Sequence, residues 1–299
     1  MITQRLNIVV GIATSGRRQI LSSTIALLAT QSRPPDRLLI SRMTSSDVDE
    51  ASLERFPAST LVLDGAIGLT AQRNKILSAA EDADVVVFFD DDFFPRPTFL
   101  SNLERLFLAH PHIVAATGHV LADGASGQGL NTEEALRILG SPSAAESDSE
   151  SFSECYGTYG CNMAFRAEPI RLNKILFDEN LPLYGWQEDI DFSRQLAPYG
   201  VIVTADGLQG VHLGTKLGRT SGVRFGYSQI ANPIYLIRKG TVSWKHGLTL
   251  IWRNMAANLF HSFSPEPWID RRGRLRGNVL AAFDVVRGRG SPRRIFELR

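Results

Sequence analysis

Val85-Val86-Val87-Phe88-Phe89-Asp90-Asp91-Asp92 sets an unbroken five-residue apolar run against three consecutive carboxylates. A run that is apolar at every position belongs to a strand covered on both faces, as in a parallel sheet with helices above and below. Such a strand delivers the acids to its carboxyl end, where open α/β sheets bind ligands. Three adjacent aspartates repel one another and lose hydration there, so they call for a cation, or a cation-bound phosphate, as partner. A solvated acidic loop is the other reading, and it leaves the all-apolar strand unexplained.

The flanking sequence repeats the strand and helix alternation. Asn7 to Ala13 is a short apolar run stopped by Thr14-Ser15-Gly16, Ile20 to Thr30 has helical spacing, and Leu38 to Ile40 is a second run beyond Pro34-Pro35. A third run, Leu61 to Leu63, passes Gly65 and Gly68 into a helix expected over Thr70 to Ala80. This order predicts an α/β fold with a mostly parallel mixed sheet flanked by helices. Downstream, Phe99, Leu103, Leu106 and Phe107 mark an amphipathic helix, and Ile113 to Thr117 begins a further strand. Residues 122–154 are rich in Ser, Gly, Ala and Glu around one helical island and read as a mobile surface loop. A second acid cluster, Gly185-Trp186-Gln187-Glu188-Asp189-Ile190-Asp191, opens a helix running to about Ala197; Val201 to Ala205 and Gly210-Val211-His212-Leu213 follow.

The 299 residues, 43% hydrophobic, suffice for one large domain, or one domain with an appendage. The formal net charge of +1 conceals a basic tail, where from Asp270 onward nine arginines face three acids. No recognisable reading motif accompanies it, and the body is slightly acidic, which argues against nucleic acid. Two cysteines, Cys155 and Cys161, and no apolar leader over Met1 to Asn7 make the cytoplasm the expected location. No run approaches the roughly 18 to 20 apolar residues that span a bilayer.

From the residues alone, the triad is placed to hold a divalent metal, for which oxygen ligands suit Mg²⁺ or Mn²⁺ better than Zn²⁺. A metal there would neutralise a diphosphate leaving group, and the second cluster would supply a base. The order of Thr14-Ser15-Gly16-Arg17, Gly68 to Asn74 (GLTAQRN), Phe89 to Asp92, Gly160 to Arg166 (GCNMAFR) and Trp186 to Asp189 resembles glycosyltransferase family 2 over roughly residues 5 to 220. The resemblance implies a GT-A (Rossmann-like) fold, a nucleotide-sugar donor, a DxD-type metal site for Mn²⁺ or Mg²⁺, and inverting transfer by direct displacement. It also implies a catalytic domain over 1–228, with 229–299 as a helical, basic extension, and a bacterial enzyme of surface polysaccharide synthesis.

The same resemblance implies individual roles. Thr14 and Arg17 match the first nucleotide-contacting loop, Arg73 the arginine near the nucleotide, and Asp90 and Asp91 the ribose-side acids. Asp92 is then the metal ligand, joined by His212. Asp189 matches the base that takes the acceptor's proton, with Glu188 and Trp186 orienting the acceptor, and Lys216 and Arg219 are candidates for the diphosphate. Structural readings stand beside these: Thr14 as a helix cap, Arg73 in an ion pair with Asp64 or Asp90, Glu188, Asp189 and Asp191 as first-turn helix charges, His212 as a structural histidine. One departure concerns the base: Leu39-Ile40-Ser41-Arg42-Met43 carries no acid after the second strand, so Asp64 is the candidate base contact and uridine, thymidine and guanosine donors all stay open.

Beyond Ser228 the resemblance fades. Leu248, Ile251, Trp252, Met255 and Leu259 fall on one helical face with Lys239, Lys245 and Arg253 nearby. That face suits either peripheral contact with an anionic membrane, where a lipid-linked saccharide would be presented, or packing on the catalytic domain or a second subunit. Two rivals remain: a sugar nucleotidyltransferase, which needs a lysine-bearing glycine-rich loop that Thr14-Ser15-Gly16-Arg17 lacks, and a non-catalytic glycan- or membrane-binding protein retaining the fold.

Overall fold

The structure is a computed structural model that describes residues 5–65, 67–141, 150–216 and 221–298. The chain folds into two compact units: the described residues of Met1–Ile67, Ala71–Leu176 and Leu196–Gly218, and those of Gly68–Thr70, Phe177–Gln195 and Arg219–Arg299.

The first unit is built on a mixed nine-stranded sheet. Its strands are β1 (Ile8–Thr14), β2 (Arg37–Arg42), β3 (Ser59–Asp64), β4 (Val85–Asp90), β5 (Phe93–Pro95), β6 (Ile113–Asp123), β7 (Phe152–Glu154), β8 (Asn162–Arg166) and β9 (Val201–His212). They lie in the order β3-β2-β1-β4-β8-β6-β9-β5, with β7 beside β9. β3, β2, β1 and β4 run parallel, as the alternation of strands and helices requires. β8 is antiparallel to both β4 and β6, whereas β6 and β9 are parallel. Helices α1 (Arg18–Leu28), α2 (Glu50–Glu54), α4 (Phe99–Ala109), α5 (Thr132–Leu139) and α6 (Ala167–Asn173) belong to this unit, while α3 (Leu69–Ala79) begins in the second unit and continues into the first. Residues 122–154 hold the end of β6, all of α5 and all of β7; 142–149 lie outside the described residues.

The sheet positions its ligand-facing groups through register. The chain leaves β1 in one direction to β2 and β3, and β4 lies on the other side, so the carboxyl ends of β1 and β4 form a topological switch point. Ala13 is level with Asp90 across that pair, which sets Thr14 beside the triad. On the far side, β5 pairs antiparallel with β9 so that Phe93 faces His212, and Asp123 of β6 is also in register with His212. The turn between β4 and β5 is anchored by aromatic packing: Phe89 stacks on Phe93 at 5.3 Å and meets Phe99 edge-on at 5.0 Å, all three rings buried. Asp90, Asp91 and Asp92 therefore leave a rigid hydrophobic base.

The second unit contains α7 (Glu188–Leu196), whose last residue belongs to the first unit, followed by α8 (Gly222–Lys239), α9 (Trp244–His261) and α10 (Arg271–Val286). Ser221, Ser243 and Asp270 cap the last three helices by accepting the backbone N–H of the residue three positions on. α8 and α10 touch backbone to backbone at Gly277, where a Cβ would come within 2.1 Å of the Val223 carbonyl. A buried amide network ties the three helices: Asn258 donates to Gln229 and Asn278, both at 2.8 Å, and Asn278 donates to the Gly226 carbonyl at 2.7 Å. The apolar stripe read from the sequence is divided, and these polar side chains share the inner seam of α9 with part of it. Ile251 and Met255 turn toward it, while Leu248, Trp252 and Leu259 turn to solvent.

Candidate active site

The first unit gathers Thr14, Arg17, Arg73, Asp90, Asp91, Asp92 and His212 at the carboxyl ends of its central strands. Successive residues of the turn after β4 point different ways, and the three acids consequently have different partners. Asp91 is buried and faces β1, where Thr14 Oγ1 donates to its Oδ2 at 2.8 Å and Arg17 Nη1 to its Oδ1 at 2.9 Å. Thr14 is thus a partner of Asp91 rather than a helix cap, and Arg17 holds the N-cap position of α1. Burial raises the Asp91 carboxyl above its ordinary range, with Arg17 opposing. For Arg17 burial alone would lower the pKa, and Asp91 and Asp92 outweigh it so that the guanidinium is held more firmly charged. The loop before Arg17 is pinned by buried Asp47, which accepts from the Gly16 N–H at 2.8 Å.

Asp90 accepts from Arg73 Nη2 at 3.0 Å, so the ion pair weighed for Arg73 is the one with Asp90 and not with Asp64. Buried Arg73 also donates to the Gly160 carbonyl at 2.8 Å and lies 5.7 Å from the centre of the Phe88 ring. Asp64 is instead exposed and paired with Arg42 at 2.8 Å.

Asp92 and His212 form the centre of the cluster. Oδ2 of Asp92 accepts from the Thr215 N–H at 2.8 Å, while His212 Nε2 lies 3.4 Å from Asp92 Oδ1 and 3.9 Å from Asp90 Oδ2. Ligand atoms of Asp90, Asp92 and His212, one from each, all lie within 4.8 Å of one another. Two carboxylates and an imidazole are a donor set suited to Mn²⁺ or Mg²⁺. Asp92 Oδ1 is buried and, beside the 3.4 Å contact with His212 Nε2, makes no well-aligned hydrogen bond among the described residues, which leaves it open to a cation. Burial would raise Asp92, but His212 and Arg17 prevail and hold it below the ordinary carboxylate range. Burial would lower His212, and Asp123 and Asp92 instead push it up to about 10, a preference for positive charge at this spot that a bound cation would also meet.

Two residues of this cluster were missed in the sequence. Asp123 Oδ1 is 2.9 Å from His212 Nδ1, and Tyr159 Oη donates to Asp123 Oδ2 at 2.8 Å. This chain of contacts turns Nε2 toward Asp90 and Asp92. A signal existed, since Ala122-Asp123-Gly124 is again an acid at the end of an apolar strand, but it fell inside the stretch read as a loop. After His212 the backbone turns at Gly214, with φ +63° and room for no Cβ, since one would lie 2.1 Å from the Ala125 nitrogen. Lys216 donates to the Gly124 and Ala125 carbonyls at 2.9 and 3.2 Å. Arg219 lies outside the described residues.

Trp186, Glu188 and Asp189 belong to the second unit, at the start of α7. Between Trp186 and Glu188 the backbone is left-handed at Gln187, φ +74°, an uncommon conformation for a non-glycine residue. Glu188 is buried, and its N–H donates to the Gly185 carbonyl at 2.8 Å. The Trp186 carbonyl accepts from Asn232 at 2.8 Å, its ring meets Phe225 edge-on at 5.0 Å, and its indole Nε1 is buried with no hydrogen-bond partner among the described residues. Half-buried Asp189 accepts the N–H of Ile190 at 2.8 Å. Asp191 fits the reading as a structural charge: it is fully buried and held by Lys239 at 2.7 Å and Thr241 at 2.6 Å.

Comparison with solved structures bears on this architecture. S. aureus TarS 1-349 in complex with UDP-GlcNAc matches at 17% identity over 87% of this chain and 74% of that one, with a TM-score of 0.54. Mannosyltransferase PcManGT from Pyrobaculum calidifontis, in complex with GDP-Man and Mn²⁺, matches at 14% identity over 98% and 86%, with a TM-score of 0.55. GalNAc-T7 with UDP, GalNAc and Mn²⁺ matches at 12% identity over 99% and 57%, with a TM-score of 0.59. At such identities the likeness establishes the fold, which is GT-A. A search of curated protein sequences finds no match. The sequence profile described as Glycosyl transferase family 2 matches residues 9–172, more than half of the chain, a span that runs from β1 past the acid triad to α6; the protein therefore belongs to glycosyl transferase family 2.

Proposed function

We propose that this family 2 glycosyltransferase is a metal-dependent inverting enzyme that moves a sugar from a nucleotide-sugar donor to a hydroxyl of a glycan or lipid-linked saccharide in surface polysaccharide synthesis. The observation that carries the proposal is the cluster of Asp90, Asp92 and His212 at the switch point of a GT-A sheet. These three residues would hold Mn²⁺ or Mg²⁺, whose charge offsets the diphosphate that leaves with the nucleotide. Asp90 thereby takes a part beyond the ribose side. Asp91 acts on the nucleotide through Arg17, whose guanidinium it orients, and Arg73 keeps Asp90 in place.

In the transfer step the Asp189 carboxylate accepts the proton of the acceptor hydroxyl while that oxygen attacks the anomeric carbon. The bond from that carbon to the diphosphate oxygen breaks with its electron pair, and the carbon inverts. Glu188 and the Trp186 indole orient the acceptor. TarS and PcManGT bind a uridine and a guanosine sugar nucleotide respectively, so the base read by this chain, with Asp64 as its candidate contact, is settled by binding rather than by fold.

Calorimetric titration with UDP, GDP and dTDP, each with and without Mn²⁺, tests the reading. Manganese-dependent binding of one nucleotide, lost in Asp92→Ala, is the expected result. Equal binding by the variant would remove Asp92 from the metal site, and no binding to any nucleotide would point to a non-catalytic member. Asp189→Asn is expected to keep that binding and lose transfer by about 10²- to 10⁴-fold; full transfer in this variant would exclude Asp189 as the base. Among the described residues no helix is long and apolar enough to cross a membrane.

A further inference from the structure

The outer face of α9 and α10 exposes large apolar side chains that the helices do not use for packing. Trp252, Phe260, Phe263 and Val286 are 72%, 74%, 82% and 86% exposed. On α10, Arg272, Arg276, Val279, Phe283 and Val286 follow at intervals of four, three, four and three, which places them on one stripe. A groove of about 500 Å³ lined by Phe263, Arg272, Leu275, Arg276 and Val279 joins the end of α9 to that stripe. Single exposed hydrophobes are ordinary, but several large ones on one helical stripe beside an apolar groove mark a contact surface.

The charges around the band identify what it contacts. Lys245, Arg253, Arg272, Arg276, Arg287 and Arg289 pair with no acid among the described residues, and Arg287 instead lies 3.7 Å from the centre of the exposed Phe283 ring. The acids of the same segment are engaged: Glu266 binds Arg271, Asp284 accepts from Tyr227 and Arg294, and Asp270 caps α10. A second copy of the chain docked symmetrically on this face would set arginines against arginines with no carboxylates between them. An anionic lipid surface meets both features, since aromatic and aliphatic side chains enter the acyl boundary while guanidinium groups remain among the headgroup phosphates.

We propose that the outer face of α9 and α10 is a peripheral docking surface for anionic membrane lipid, holding the protein on a bilayer without crossing it. This rests on the surface chemistry of the second unit and not on the metal cluster, so it can fail while the transferase reading stands, and the reverse.

The test is co-sedimentation of the full chain with vesicles of phosphatidylcholine, alone or with phosphatidylglycerol. Binding only when phosphatidylglycerol is present, and weakening with added salt, is expected. Arg276→Gln should weaken partitioning about fivefold and the double variant Phe263→Ser/Val286→Ser about tenfold or more, with unchanged far-UV circular dichroism. Tryptophan fluorescence quenched by brominated phosphatidylglycerol supports the same contact in the unaltered protein. Absent binding, or binding indifferent to phosphatidylglycerol and to both variants, overturns the proposal. So does a wild-type dimer that Phe263→Ser converts to monomer, which would assign the face to a second copy.

Discussion

Asp123 and Tyr159 touch no expected substrate group, yet they decide where His212 points. An imidazole that ligates a cation through one nitrogen needs its other nitrogen held, and Asp123 Oδ1 at 2.9 Å from Nδ1 supplies that hold. Asp123→Ala is therefore expected to weaken Mn²⁺ affinity by about 10- to 100-fold in electron paramagnetic resonance titrations, with Asp123→Glu recovering part of the loss. Tyr159→Phe should cost less, because it removes only the bond that orients Asp123; Mn²⁺ affinity unchanged in both Asp123→Ala and Tyr159→Phe would deny the arrangement a role. Gly214→Ala forces a side chain into left-handed backbone and against Ala125, and should destabilise the protein by about 1 to 3 kcal/mol, read as a lowered unfolding midpoint in urea. The triad itself was legible because three acids after an apolar run have few other uses. Asp123 was not, since one acid in a polar stretch acquires meaning only when β6 and β9 come into register.

At the scale of elements, the acids opening α7 divide by partner. Asp191 is fully buried and lies between Lys239 of α8 and Thr241, and Lys239 also binds Asp178 at 2.8 Å. Replacing Lys239 with Met would leave a buried carboxylate without its cation, at a cost of about 3 to 5 kcal/mol in urea unfolding; the double variant Lys239→Met/Asp191→Asn should recover a good part of it. Burial would raise the Asp178 carboxyl, but Lys239, the Asn180 N–H and Tyr235 hold it below its ordinary value. A depressed folded pKa contributes stability above the unfolded value, about 4, that is lost as pH falls through the folded one. Lys239 has the opposite sign: burial would lower it, Asp178 and Asp191 raise it, and its contribution is lost as pH rises through its folded pKa. Asp178→Asn should flatten the acid limb of a melting-temperature profile, and an acid limb as steep as that of the wild type would show that another group sets it. From the sequence these helix-opening acids looked alike, because the partners of Asp191, Lys239 and Thr241, lie 48 and 50 residues away and leave no local pattern.

For the whole molecule, a cation that binds only the folded state must stabilise it. At 100 times its dissociation constant Mn²⁺ adds about 2.7 kcal/mol, which should raise Tm by several degrees and be reversed by EDTA. Asp92→Ala should abolish that rise, whereas Asp189→Asn should leave it; a rise that persists in Asp92→Ala would place the cation elsewhere.

The sequence alone determined the α/β class, the strand that ends in acids, the family to which the chain belongs and most of the residues that meet at the switch point. It could do so because hydrophobic periodicity and local acid clusters are properties of neighbouring residues, and the order of motifs that carries the family resemblance is read along the chain. Tertiary structure decided the rest: the antiparallel β8 between β4 and β6, the pairing of Asp91 with Thr14 and Arg17 while Asp90 and Asp92 turn to His212, the hold of Asp123 on that ring, and the outward direction of Trp252 while an amide network lies in the inner seam beside Ile251 and Met255. Each depends on contacts between residues far apart in the chain, which are fixed by sheet register and helix packing rather than by any local spacing.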